Sequence, residues 1–183
     1  MALHVDEAAE KSLACIVGGL RSARRDAGLS QNALSSGLPV RGRAISEWEN
    51  GTIEPTLGHL IQWSRELGRR LVIVGPDGES RTGPPRSRSG QAWEIFERQR
   101  LAVPLRNRRR ALRLTQKELG QRVGVSRHSI QRWERASVSP RPMALIVWAQ
   151  KLELSVVLLP INAPDIGPMT SFTVDGGVHD LDL

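Results

Sequence analysis

The chain has a single cysteine, Cys15, in 183 residues, which excludes an internal disulfide and any zinc site built on several cysteines. No run of about 18 apolar residues occurs, so no segment is expected to span a membrane. The first ten residues are polar and acidic, without the apolar core of a secretory leader, so a cytoplasmic protein is expected. Phosphate-binding glycine loops, His-Glu metal helices and nucleophile elbows are missing too, and the sequence predicts no enzyme, no cofactor and no metal. Cys15 lies in an apolar helical stretch, which favours a small core residue over a nucleophile. Lysine is scarce, at 3 residues against 23 arginines.

What is present is a duplication. Residues 16–75, moved forward by 85 positions, fall on residues 101–160 without a gap. Leu20, Arg21, Arg24 and Arg25 meet Leu105, Arg106, Arg109 and Arg110. Leu29, Gln31, Leu34, Val40, Ile45, Trp48 and Glu49 meet Leu114, Gln116, Leu119, Val125, Ile130, Trp133 and Glu134, and Pro55, Leu60, Ile61, Trp63 and Leu67 meet Pro140, Leu145, Ile146, Trp148 and Leu152. The unit is too long for a solenoid repeat and suits a small helical domain. Two copies on one chain imply a built-in pseudo-dimer.

Charge is distributed unequally between the copies. The net +7 breaks down into +1 over residues 1–75, +1 over 76–90, +9 over 91–160 and −4 over 161–183. The second copy therefore holds essentially all the positive field, which attracts polyanions from a distance. The acidic end either screens that field or meets a basic partner.

Helical periodicity and breakers order the chain into four parts. Residues 1–75 form a first domain: a helix through Ala9, Leu13, Ile16, Val17, Leu20, Ala23 and Ala27 ended by Gly28, short helices at 31–36 and 42–50, an amphipathic helix from Thr56 to Leu67 closed by Gly68, and a strand at Leu71–Val74. Residues 76–90, rich in Gly, Pro, Ser and Arg, form a flexible linker. Residues 91–160 repeat the domain. They open with a helix at Gln91–Gln99, and Pro104 is expected in the first turn of the next helix. A capping box follows at Thr115–Glu118, then a helix from Ser126, a fourth from about Arg141 to Leu152, and a strand at Val156–Leu159 closed by Pro160. Residues 161–183 form an acidic, irregular tail.

Leu114 to Glu134 carries the most specific pattern. Leu119, Val123 and Ile130 point inward and clamp two short helices, Gly124 takes a left-handed turn at little cost, and Ser126 caps the second helix. With Ile130 buried, Arg127, His128, Gln131 and Arg132 face outward, and arginine presents a fork that matches guanine O6 and N7. The stretch resembles the phage-repressor and Cro-type (XRE) helix-turn-helix family, over about 50 residues of each copy. The resemblance implies a mainly α protein: two tandem lambda-repressor-like helix-turn-helix domains, each followed by a short β-strand. It further implies double-stranded DNA as partner and a location at the nucleoid. Base reading falls on Arg127, His128 and Arg132, and phosphate anchoring on Gln116. Lys117, Ser126, Ser129 and Gln131 complete the expected DNA-binding set. The competing reading of these residues is a solvated basic helix face without a partner.

The first copy departs from the pattern. Gly42, Arg43 and Glu47 stand where the second has Arg127, His128 and Arg132, and a glutamate facing phosphate is unfavourable. Pro39 replaces the turn glycine and cannot adopt a left-handed conformation, so Gly37 is the candidate for the turn. Gln31, Arg41, Arg43 and Ser46 remain candidates for DNA contact; otherwise this copy docks or dimerises. Arg24 with Glu49, and Arg109 with Glu134, recur at one spacing, and the resemblance implies partly buried ion pairs between first and third helices. Trp48, Trp63, Trp133 and Trp148 sit at matched positions and are expected in the core. His59 and His179 have no ligand-like neighbours.

The strand after each domain is unusual for plain phage repressors, and Leu152–Leu159 resembles the end of the antitoxin in the HipA–HipB pair, where such strands pair between subunits. Here Leu71–Val74 is expected to pair antiparallel with Val156–Leu159 inside one chain, making a monomeric pseudo-dimer with unequal heads. Exchange between chains would instead give a homodimer with four heads. The function expected is a sequence-specific transcriptional regulator, a repressor. The alternative is an antitoxin that binds a toxin and autoregulates its operon.

Overall fold

The computed structural model describes residues 2–81 and 93–161. The first repeat contains α1 (Glu7–Asp26), α2 (Gln31–Ser35), α3 (Gly42–Glu49), α4 (Leu57–Glu66) and β1 (Arg69–Val74); the second contains α5 (Trp93–Ala111), α6 (Gln116–Val123), α7 (Arg127–Glu134), α8 (Pro142–Gln150) and β2 (Ser155–Pro160). Local chemistry starts and stops these helices. The side chains of Asp6, Ser30 and Thr56 accept from backbone N–H groups in the first turns of α1, α2 and α4, satisfying donors that a helix start leaves unpaired. Pro142 opens α8, where its missing N–H costs nothing.

The two strands pair antiparallel within the chain, and the register contains the symmetry of the molecule. Val72 lies opposite Val157, with Leu71 opposite Leu158 and Ile73 opposite Val156. Val72 and Val157 are repeat mates, 85 positions apart, so a pseudo-two-fold axis passes between them and exchanges the flanking pairs. A lone strand leaves its backbone polar groups unpaired; the duplication supplies each strand with its partner.

The long first helices extend the symmetry. α1 packs on α8 and β2 of the other repeat, and α5 packs on α4 and β1. The N-terminal part of each helix thus rests on the opposite repeat, while the C-terminal part meets its own third helix. The core is correspondingly duplicated: Leu20, Ile45, Leu60 and Trp63 are fully buried in one half, and Leu105, Ile130, Leu145 and Trp148 in the other. Trp48 and Trp63 lie with ring centroids 5.6 Å apart at 36°, and Trp133 and Trp148 lie 5.7 Å apart at 38°. These tilted pairs make the tryptophans core elements.

Several expectations need correction. α5 is one continuous helix with Pro104 buried inside it, not two segments with Pro104 in the first turn of the second. Proline removes one intrahelical hydrogen bond and costs about 3 kcal/mol there. Glu97, Arg100, Leu101 and Ala102 before it, and Leu105 after it, are all buried, so both halves of the helix are held to the same surface. Cys15 is exposed rather than a core residue, because the buried line of α1 runs through Ala9, Ile16, Leu20 and Ala23 and leaves Cys15 off that face. Residues 76–81, expected in a flexible linker, fold back on β1. Gly78 bonds Gly75, Glu79 bonds the Asp77 side chain, and the Arg81 N–H donates to the Ile73 carbonyl at 2.8 Å. Residues 82–92, the rest of that linker and the start of the expected 91–99 helix, lie outside the described residues, as do residues 162–183 of the acidic tail.

The junction between repeats is not symmetric. Glu97 on α5, 1% exposed, receives Arg70 from β1 at 3.1 Å and Arg100 from its own helix at 2.9 Å, and Arg100 also donates to the Leu71 carbonyl. The mates of Arg70, Glu97 and Arg100 are Ser155, Ser12 and Cys15, none of them charged. Burial pushes the Glu97 carboxyl up, but the hydrogen bond from Arg70 and the charge of Arg100 outweigh it and hold it below its ordinary value. Glu49 is lowered in the same way, burial opposing hydrogen bonds from Arg24 and Gln31. A depressed folded value stabilises the fold above the unfolded pKa of about 4.3 and loses that stabilisation as pH falls through the lower folded value. Urea titrations are therefore expected to show a flat midpoint from neutral pH to about pH 5 and a fall below about pH 4. In an E97Q variant the fall should be shallower.

Candidate nucleic-acid interface

The second repeat builds its surface from α6, a tight turn and α7. Thr115 and Glu118 close a reciprocal capping box: the Thr115 hydroxyl accepts from Glu118 N–H at 3.2 Å, and the Glu118 carboxylate accepts from Thr115 N–H at 2.7 Å. Hydrogen bonds from the Thr115 backbone and hydroxyl hold the Glu118 carboxyl below the usual carboxylate range. Gly124 makes the turn at φ 87°, and Ser126 caps α7 by accepting from Ser129 N–H at 3.1 Å. Leu119, Val123 and Ile130 are fully buried between the helices. Gly120 is a further requirement that sequence reasoning did not single out: a Cβ there would lie 2.8 Å from the Val125 carbonyl oxygen. Its mate in the first repeat is Ser35.

An internal frame sets the orientation of this unit. Arg109 donates from Nε to one oxygen of Glu134 at 2.5 Å, from Nη2 to the other at 3.0 Å, and from Nη1 to the Leu114 carbonyl at 2.7 Å. Gln116 Nε2 donates to Glu134 at 2.8 Å. Arg24, Glu49, Leu29 and Gln31 repeat this arrangement at 2.6, 2.8, 2.7 and 2.9 Å. The bidentate fork fixes both partners in one geometry, and it ties the first helix, the start of the second and the end of the third. Gln31 and Gln116 therefore spend amide donors inside the protein.

Outside the frame the heads differ. Arg127, His128 and Arg132 are exposed on α7, and no hydrogen bond or ion pair engages their side chains among the described residues. Ser129 and Gln131 are half-buried beside them, and Lys117 is exposed on α6. On α3 the Arg43 guanidinium donates to its neighbour Glu47 at 2.8 Å, Ser46 is half-buried, and Arg41 is exposed. A Cβ on Gly42 would collide with the Asn32 side chain, so a larger residue there requires Asn32 to move. Arg113, Lys117, Arg122, Arg127, Arg132 and Arg135 are all exposed, and their mates are Gly28, Asn32, Gly37, Gly42, Glu47 and Asn50. Each of these six positions thus loses its positive charge in the first head.

The turn in the first head is also built differently. Gly37, the candidate for a left-handed turn, has no positive φ. The chain instead leaves α2 through successive three-residue turns, with Ser36 bonding Ala33, Gly37 bonding Leu34 and Leu38 bonding Ser35. This route stays right-handed up to Pro39, whose ring fixes φ near −65°.

Sequence reasoning missed the N-terminal arm. Residues 2–5 cross to the second head, where His4 N–H donates to the Val123 carbonyl at 2.9 Å and the His4 ring meets the Arg122 carbonyl at 3.1 Å. These carbonyls are the unpaired acceptors at the end of α6. A Cβ at Gly124 would strike the Ala2 carbonyl oxygen and come within 2.9 Å of His4 N. Gly124→Ala is expected to cost about 1–2 kcal/mol from its left-handed backbone and to release the arm. The denaturation midpoint reads the first effect, and faster exchange of the His4 amide reads the second.

Among the described residues, no helix is long and apolar enough to cross a membrane, and no group of three or more His, Cys, Asp or Glu is placed to hold a metal ion. One family model, described as a helix-turn-helix domain, matches residues 100–160, and a second, described as helix-turn-helix, matches residues 20–74. Neither the curated proteins nor the solved structures yield a match to the chain. The two matches coincide with the two structural repeats, and the chain is a tandem helix-turn-helix protein, built from two domains of a DNA-binding, transcription-regulatory kind joined by an antiparallel strand pair.

Proposed function

We propose that the chain is a repressor that occupies one asymmetric operator, reading bases with α7 of the second head. The observation that carries this is the contrast between the two third helices: the side chains of Arg127, His128 and Arg132 are exposed and have no partner among the described residues, while the same three positions of the first head hold Gly42, Arg43 and Glu47, the last two neutralising each other. Arg127 and Arg132 supply forks for guanine, and His128 supplies a shorter polar contact between them. Lys117 and the cap of α7 at Ser126 serve phosphate. The frame through Glu134 leaves Gln116 one amide donor and its carbonyl, enough to brace a neighbouring side chain while the helix start meets the backbone of the duplex.

The first head then acts as a rigid counterpart. Gln31 is committed to Glu49, Arg43 to Glu47, and Ser46 is half-buried, so Arg41 is the candidate left for phosphate. An asymmetric protein favours an asymmetric site, whereas an exact two-fold dimer favours a palindrome.

Selection from a random duplex pool at physiological salt, followed by sequencing, tests this. A single enriched half-site supports the assignment. Two distinct half-sites about one helical turn apart would show that the first head also reads bases. Absence of enrichment would sink the proposal and direct attention to a protein partner.

A further inference from the structure

Three matched pairs of positions share one backbone shape but not one residue type. Just past α1, α3 and α4 of the first head, Gly28, Gly51 and Gly68 take φ of 66°, 75° and 62°. Their mates in the second head, Arg113, Ala136 and Glu153, take 54°, 53° and 59°. The hydrogen bonds at the first pair correspond as well. Gly28 N–H donates to the Arg25 carbonyl at 2.9 Å and Leu29 N–H to Arg24 at 3.0 Å; Arg113 N–H donates to the Arg110 carbonyl at 2.9 Å and Leu114 N–H to Arg109 at 3.1 Å. This is the helix ending in which glycine is the usual left-handed residue. A Cβ in that region disfavours the folded state by roughly fivefold or more. The second head thus carries side chains at three places where the first head uses glycine.

Two of the three are accounted for within the fold. Glu153 pairs with Arg108, whose Nε also donates to the Leu152 carbonyl at 3.2 Å. Ala136 adds only a methyl group and is half-buried. Arg113 brings a long cationic side chain into the same geometry and leaves it exposed. The end of α5 does not call for another charge, since Arg108, Arg109 and Arg110 already lie in its last turn. The surroundings of Arg113 are those of the reading unit. Leu114 is anchored through its carbonyl to Arg109 at 2.7 Å, Thr115 caps α6, and Gln116 ties this helix start to Glu134 at the end of α7. Arg113 and Lys117 therefore flank the start of α6.

We propose that Arg113 is a DNA-backbone contact, its guanidinium meeting a phosphate beside the one met by Lys117. The inference rests on the base-reading assignment of α7. A guanidinium offers phosphate two parallel N–H donors, and a contact of this kind fixes register without reading sequence. The first head has Gly28 and Asn32 at the two positions, so neither supplies a cation there. An arginine held left-handed where glycine fits gives up fold stability for affinity, as strained residues at functional positions do.

Anisotropy titrations of the full chain on the selected duplex and on an unrelated one, across a salt series, test the proposal. Arg113→Gly puts into the second head the residue that the first head carries in this geometry. It should weaken binding to both duplexes alike, by about fivefold near about 0.15 M salt, and reduce the slope of log affinity against log salt by about 0.9. Arg113→Lys keeps the charge and should recover most of both effects. The urea midpoint of Arg113→Gly should equal or exceed that of the unaltered chain. Unaltered affinity and slope in Arg113→Gly, with the preference for the selected duplex retained, would overturn the inference and leave base reading by α7 standing. A loss confined to the selected duplex would make Arg113 a base reader and overturn it as well. A lowered urea midpoint would overturn it by assigning Arg113 to the fold. If the unaltered chain binds all duplexes equally, base reading by α7 fails while the slope still judges Arg113; if it binds none, both fail.

Discussion

Replacing Glu97 with alanine is expected to lower the stability of the chain by about 3–5 kcal/mol, because it removes the carboxylate that balances the charge of two largely buried guanidinium groups. Arg100 is 3% exposed, and the Arg70 side chain 12%. Denaturant titration at neutral pH measures the loss, and the two repeats should separate in a less cooperative transition. A change below about 1 kcal/mol would mean that apolar packing alone holds the repeats together. Replacing the whole triad by Leu, Leu and Met should recover most of the stability, since buried ion pairs exchanged for packed apolar groups are often neutral or stabilising. The exposed Arg43–Glu47 pair gives the internal contrast: Glu47→Ala should change stability by less than about 1 kcal/mol. The same physics explains the asymmetry of the junction. Ser12, Cys15 and Ser155 give α1 and β2 no reciprocal charge cluster, so the chain is specified to close in one sense, with α5 on β1.

Replacing Arg127 and Arg132 together by alanine is expected to weaken binding to the selected duplex by on the order of 10²–10⁴-fold at fixed salt, each base contact contributing about 1–3 kcal/mol. Binding to an unrelated duplex should fall far less, so the ratio of the two affinities collapses. Anisotropy titrations on both duplexes measure this. An equal loss on both would show that the two arginines meet only phosphate, and the base-reading assignment would fail. Lys117→Ala is the control for phosphate: it should weaken both duplexes alike and flatten the salt dependence by about one unit of slope. Alanine at Arg41 and Arg43 should leave the ratio unaltered.

The parts legible in sequence are those set by local pattern. The 85-residue offset, the capping box at Thr115, the left-handed Gly124 and the Ser126 cap each depend on a few neighbouring residues. The pairing of Arg24 with Glu49 and of Arg109 with Glu134 followed from family resemblance and is present in both heads. What sequence could not show lies in contacts between distant segments. Pro104 reads as a helix start, and burial on both sides of it overrides that signal. Cys15 reads as core, although the buried stripe of α1 passes beside it. The role of Glu97 was invisible because Arg70 stands 27 residues away across the junction. The N-terminal arm carries no pattern at all, yet it closes the end of α6.

Two helix-turn-helix units, the basic and complete character of the second, and a strand at the end of each can be read from the residues alone, because periodicity, caps and charge are properties of short windows. Tertiary structure alone decided which surfaces remain for function. Only the fold shows that Gln31 and Gln116 turn a donor inward, that Arg43 is neutralised by Glu47, and that the side chains of Arg127, His128 and Arg132 are exposed. Only the strand register shows that the axis passes between Val72 and Val157. The physical reason is the same throughout: hydrogen-bond donors and acceptors are settled by whatever neighbour packing brings within about 3 Å, and packing joins residues that the chain keeps far apart.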